Sequence, residues 1–157
     1  MTLPQRKHAC LKHYDYTQPG FYYVTIHNED GSDYLSHIVN NGAVHLTSAG
    51  VIAQEQLLSL PDRFPTIKID KYVIMPTHIH AIFHFSMNHE NVSLMDVVRV
   101  LKSLTTRKYN ALMNTPGKKL FQTSFYETVL RTEEVYLACW KYIDENPLKW
   151  ALDPEDR

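Results

Sequence analysis

The stretch Tyr72-Val-Ile-Met-Pro-Thr-His78-Ile79-His80-Ala-Ile-Phe-His84-Phe85 restricts the fold more than any other part of this sequence. From His78 onward it has the period of a strand, in which alternate side chains share a face. His78, His80, Ile82 and His84 then point one way, and Ile79, Ala81, Phe83 and Phe85 the other. The second set is wholly apolar and is expected to face the core. Two imidazoles two positions apart can converge on one metal ion, which could grip a phosphate oxygen and offset charge in a transition state. The same pattern also suits histidines on a polar sheet face with no ligand role. His84 lies about 13 Å from His80 by the strand rise, so it is not expected to join the pair.

The rest of the chain is compatible with one globular domain around such a strand. It has 157 residues, 44% of them hydrophobic and 21% charged, which is ordinary globular composition and argues against disorder. No apolar run approaches the roughly 20 residues of a membrane span, and no basic and then apolar segment opens the chain as a signal peptide would. Cys10 and Cys139 are the two cysteines. A disulfide framework or cysteine-based zinc cluster is therefore not expected, and the cytoplasm is the expected location.

Local signals order the elements. Pro19-Gly20 ends an irregular opening segment, and Phe21 to His27 reads as a strand. Asn40-Asn41-Gly42 between Tyr34–Val39 and Ala43–Leu46 signals a hairpin. Thr47 or Ser48 caps a helix expected to end before Pro61. Ile67 to Met75 and His78 to Phe85 read as strands turned by Pro76-Thr77. Ser93 and Asp96 form a capping-box pair for a helix running to about Ala111. Phe121 to Leu130 is a strand candidate. Thr132 caps a last helix, with Glu133 and Glu134 in its first turn, expected to stop at Asn146 because Pro147 follows. The expected class is α+β, with a mostly antiparallel sheet and the helices over one of its faces. Residues 1–20 are read as an irregular lead and 148–157 as a tail.

Two further features bear on chemistry. Tyr142 and Asn146 are one turn apart on one face of the last helix. An Asn carbonyl oxygen suits a hard metal ion, and a tyrosine one turn away would lie near a phosphate bound to it. An amphipathic tyrosine and a helix-ending asparagine would look the same. The net formal charge is −1, yet residues 91–119 carry Arg99, Lys102, Arg107, Lys108, Lys118 and Lys119 against the single acid Asp96. Such a segment can neutralise several phosphates. A solvated helix face followed by a basic loop is the ordinary alternative.

Taken together, these strings resemble a known family. Tyr72 to His80 resembles the His-hydrophobic-His motif of HUH endonucleases, in the form typical of single-tyrosine transposases. Ser124-Phe125-Tyr126-Glu127-Thr128-Val129-Leu130-Arg131-Thr132-Glu133-Glu134 and Tyr142-Ile143-Asp144-Glu145-Asn146-Pro147 are similar to the REP-associated tyrosine transposase branch. Lys102 to Arg107 and Tyr14 to Gly20 resemble the same branch, so the likeness covers roughly residues 5–150. Glu127-Thr128 stands where members often have Asp-His, and Thr77 where Asn is common.

The resemblance implies a ferredoxin-like α+β fold. It implies His78 and His80 as metal ligands, Asn146 as a polar third ligand, Tyr142 as the nucleophile and Mg²⁺ or Mn²⁺ as the ion. The implied substrate is single-stranded DNA beside hairpin-forming repeats, cut through a 5′-phosphotyrosine link. Phenol needs help to ionise near neutral pH, and water or Glu127 are the candidate bases. Arg6, Lys7, Lys102, Arg107 and Lys108 are the candidate DNA contacts, and a monomer is favoured over a homodimer. Two other readings remain open: a domesticated regulator that grips hairpin DNA or RNA without cutting, and a metal-dependent hydrolase in which water attacks.

Overall fold

Strand β1 (Gly20–His27) is the second strand from one edge of the main sheet and pairs on both sides. After it come a short hairpin, β2 (Ser36–Ile38) and β3 (Val44–Leu46), then helix α1 (Ser48–Arg63), strands β4 (Ile67–Ile74) and β5 (His78–Phe85), helix α2 (Leu94–Met113), strand β6 (Tyr126–Leu130) and helix α3 (Glu133–Leu152). The computed structural model describes residues 14–30, 34–87 and 91–153. Arg6, Lys7 and Cys10 lie outside them. Among the described residues no helix is long and apolar enough to cross a membrane.

The main sheet has the order β4-β5-β1-β6, with antiparallel neighbours throughout. Without the β2–β3 hairpin and α3 the chain runs β1-α1-β4-β5-α2-β6, the ferredoxin-like split arrangement. Local chemistry starts each helix where the sequence indicated. Thr47 Oγ1 accepts the Gly50 N–H at 3.2 Å to cap α1. Ser93 and Asp96 satisfy each other's backbone N–H groups at the start of α2. Thr132 caps α3 through the Val135 N–H. Asn114, in the left-handed region at φ 55°, ends α2.

Four expectations change. The helices do not share one face. α1 and α2 pack with Val24, Ile26, Ile79, Ala81, Phe83 and Phe85 in the larger core, whereas α3 covers the opposite face through Tyr23, Ile82, Leu130, Cys139 and Ile143. Both faces of β5 are therefore covered, and its histidine-bearing face is not a solvated one. Pro61 does not end α1, which continues to Arg63. Buried Leu57 and Leu60 hold that turn, and the Phe64 N–H closes it on the Leu60 carbonyl at 2.8 Å.

Pro147 does not end α3 either, so residues 148–152 are helix and not tail. A proline inside a helix forfeits one backbone bond and costs about 3 kcal/mol. Here the helix is held on both sides of it by contacts with the sheet: Ile143, Asn146 and Pro147 are buried, and the Trp150 ring lies 6.2 Å from that of His78. Finally, β6 begins at Tyr126 and not at Phe121. Phe121 makes an isolated bridge with Asn28. The carbonyls of Gln122 and Thr123 accept from Lys102 Nζ at 2.7 and 2.9 Å, an alternative to the ladder.

Candidate functional site

The site is assembled by register. Directly opposed residues in antiparallel strands project to the same face. His78 pairs with His27 and His80 with Thr25 across β1–β5, while Thr25 pairs with Tyr126 and Tyr23 with Thr128 across β1–β6. His27, His78, His80, Thr25 and Tyr23 consequently occupy one patch of the α3 face. The His78 and His80 rings are 4.6 Å apart, and the His27 ring is 5.3 Å from that of His78. His84 shares the face but stacks on Phe21 at 4.2 Å, towards the other end of β5.

Helix α3 closes over this patch. An apolar seam, a Lys71–Asp144 ion pair at 2.7 Å, Lys71 Nζ 3.9 Å above the Trp140 ring, and a Tyr136 hydroxyl donating to Asp70 at 3.0 Å fix it against the sheet. The Tyr142 ring then sits 5.6 Å from that of His80. One turn further along is Asn146, which is buried, and one more turn brings Trp150 to His78. Asn146 thus lies on the helix between the two residues whose rings meet the two histidines. Tyr142, Asn146, Lys149 and Trp150 line a cleft of about 200 Å³.

Burial sets the protonation of the imidazoles. It pushes His78 down to about 4, with His27 adding to the effect. It holds His80 well below the usual imidazole range, with His78 and His27 contributing, and lowers His27 as well. All three are neutral near pH 7, the form that ligates metals. His80 Nδ1 lies 2.8 Å from the Tyr23 hydroxyl and 2.9 Å from Thr25 Oγ1, while its Nε2 is buried without a partner. A metal-ligating histidine is commonly held in this way, with one nitrogen engaged and the other aimed outward. His78 Nδ1 is engaged by Thr77 Oγ1 at 3.1 Å. The donor set of two imidazoles and an amide oxygen suits a divalent ion. Among the described residues no three His, Cys, Asp or Glu side chains form a ready ligand group, so any third protein ligand to an ion here would come from a different residue type, such as Asn146.

Other sequence candidates lie elsewhere. Glu127 pairs with Val24, one position out of phase with Thr25, so its side chain enters the α1–α2 core and not the α3 face. That removes it as the base for Tyr142. Lys102, Arg107 and Lys108 are on α2, across the sheet from the histidines. Cys139 is buried in the α3 seam, and its thiol is pushed up to about 11 by burial, as befits a packing group. Sequence reasoning missed Tyr23, Thr25, His27, Lys149 and Trp150. The alternation Tyr23, Thr25, His27 was visible, but its alignment with β5 was not.

The fold and this patch together define a ferredoxin-like α+β domain with a histidine pair beneath a tyrosine-bearing helix. The same fold occurs in a REP-associated tyrosine transposase solved bound to a REP hairpin, which is 20% identical and matches over 89% of this chain and 73% of that one with a TM-score of 0.69. A candidate transposase from Deinococcus radiodurans is also similar, at 14% identity, 87% of this chain, 97% of that one and a TM-score of 0.54. An uncharacterized protein of Haemophilus influenzae is 27% identical over 94% of this chain and 91% of its own length. No protein-family model matches the chain.

Proposed function

We propose that this chain is an HUH-type single-strand DNA endonuclease of the transposase kind, cutting and rejoining strands beside hairpins through a 5′-phosphotyrosine intermediate. The observation that carries this reading is the Tyr142 ring 5.6 Å from a buried imidazole whose Nε2 has no partner. The shared fold with a transposase bound to a REP hairpin supports hairpin-forming DNA as the substrate class.

His78 Nε2, His80 Nε2 and the Asn146 side-chain oxygen would hold Mg²⁺ or Mn²⁺. Such an ion supplies positive charge to the scissile phosphate and the departing oxygen. Tyr142 attacks the phosphorus in line, forming the Oη–P bond as the P–O3′ bond breaks, and the departing 3′-oxygen takes a proton from solvent to become a free 3′-hydroxyl. The phenolic proton passes to solvent in the cleft, since Glu127 is on the other face. Lys149 lines the same cleft and adds a cation beside the phosphate. The phosphotyrosine diester conserves the bond, so an incoming 3′-hydroxyl reverses the step and joins strands without ATP. With the tyrosine delivered by its own chain, a monomer suffices.

The test is direct. Wild-type protein incubated with Mn²⁺ and a hairpin oligonucleotide carrying unpaired flanks yields an SDS-resistant protein–DNA band, and EDTA abolishes it. Tight hairpin binding with no such band under any divalent ion would establish the non-cutting regulator instead. A second expectation concerns Tyr23. With Nε2 as the ligand, the His80 Nδ1–H donates to the Tyr23 and Thr25 hydroxyl oxygens and fixes the ring. Tyr23→Phe should weaken Mn²⁺ binding, measured by calorimetry without DNA, by about tenfold, with little change in the folded state's circular dichroism.

A further inference from the structure

Across the sheet from the histidines, α2 and the segment leading into β6 enclose an open groove of about 650 Å³. Its floor is apolar, made by Met95, Val98, Phe121 and Phe125. Its rim carries Arg99, Lys102, Arg107 and Lys119, and no acid lines it among the described residues. Arg99 is shared with Asp96 at 2.6 Å and Lys119 with Glu29 at 3.1 Å, both exposed pairs that a phosphate can displace. Lys102 is different. Two of its three N–H groups are committed to the Gln122 and Thr123 carbonyls, which fixes the ammonium at the groove and leaves one N–H for an anion. Arg107 is exposed and has no acid paired with it among the described residues. Phe121 and Phe125 are almost fully buried beneath the groove floor, so the surface offered to a base is Met95 and the aliphatic stems of Arg99 and Lys102, with the cationic ends placed at the rim for a phosphate.

The groove is connected to the catalytic face by one peptide unit. Phe125 lines the groove, while the next residue, Tyr126, starts the sheet's outer strand and turns its ring to that of His27 at 5.7 Å. A strand passing over this edge crosses one sheet layer, about 10 Å, which takes about three nucleotides at 3.4 Å or more each.

We propose that the groove is a nucleotide subsite that holds an unpaired base and its phosphate from the same DNA strand whose linkage is presented to Tyr142, with that strand crossing the β6 edge beside Tyr126. This deepens the reading above and rests on DNA being the substrate, but it fails independently of the cleavage chemistry.

The experiment measures binding by fluorescence anisotropy, using hairpin oligonucleotides with zero to eight unpaired thymidines on either side of the stem. Wild-type affinity should rise at least tenfold as one flank lengthens from one to about five nucleotides, and then level off. Ser103 is exposed on the rim, so Ser103→Trp fills the groove without touching the core. It should erase the gain from the flank while binding short-flank hairpins like the wild type. Lys102→Gln should reduce the salt dependence of long-flank binding by about one unit. Photocrosslinks from 4-thiothymidine in the flank should map to residues 119–125. If Ser103→Trp and Lys102→Gln follow the wild-type curve and the crosslinks map elsewhere, the subsite is refuted, even with the covalent band intact. Flank-dependent affinity and crosslinks at 119–125 without a covalent band would uphold the subsite and refute the tyrosine chemistry.

Discussion

Tyr142→Phe is expected to lose the covalent protein–DNA band by a factor of at least about a thousand while binding the same hairpin within about twofold of the wild type. The substitution removes one oxygen from a half-buried ring and leaves the ring in contact with His80. Its apolar surroundings in α3 are unchanged, so the helix should keep its place. No other tyrosine is positioned to substitute. Tyr23 has its hydroxyl at His80 Nδ1, on the side away from the open Nε2, and burial raises it well above the ordinary phenol range. Tyr126 faces His27, at the edge of the patch. A band of undiminished intensity in Tyr142→Phe would place the nucleophile elsewhere. Strand cleavage persisting without any band would favour attack by water and a hydrolase.

How much of this was legible in the sequence depended on whether the signal was local. The His78–Phe85 alternation, the Asn41-Gly42 turn and the Ser93–Asp96 capping box are short-range patterns, and each appears in the structure where it was expected. The two helix ends predicted from proline were wrong for one physical reason. Pro61 and Pro147 each cost a backbone bond, but neighbouring buried residues keep their helices on the sheet.

What was not legible was pairing between distant segments. That Glu127 faces the core and Thr128 the histidine side follows from the β1–β6 register, and no local pattern encodes it. The same holds for Thr25 and His27, which become neighbours of His80 and His78 only through the β1–β5 ladder. The histidine-bearing face read as polar because its histidines were visible, while the helix that covers it lies some 50 residues downstream.

The second large effect is acid lability of the metal-free protein. His78 and His80 are buried as neutral rings, and both titrate below the usual imidazole value of about 6.5. In the unfolded chain they take up protons as the pH falls past 6.5, whereas the folded state resists until about pH 4 at His78. Between those limits the unfolded state binds more protons, so stability falls with falling pH. It is fully present above about pH 7. At pH 5 each such histidine withdraws about 2 kcal/mol, from about 1.4 kcal/mol per unit. That is a large part of the 5–15 kcal/mol typical of a domain. Thermal melting in EDTA should therefore drop by about 10 °C between pH 7 and pH 5. His78→Asn, which cannot take up a proton in this range, should remove about half of that slope. A melting temperature independent of pH from 7 to 5 would mean that the rings are already solvated. In that case α3 would not cover them in solution, and the contact between the Tyr142 and His80 rings would not be formed before DNA arrives.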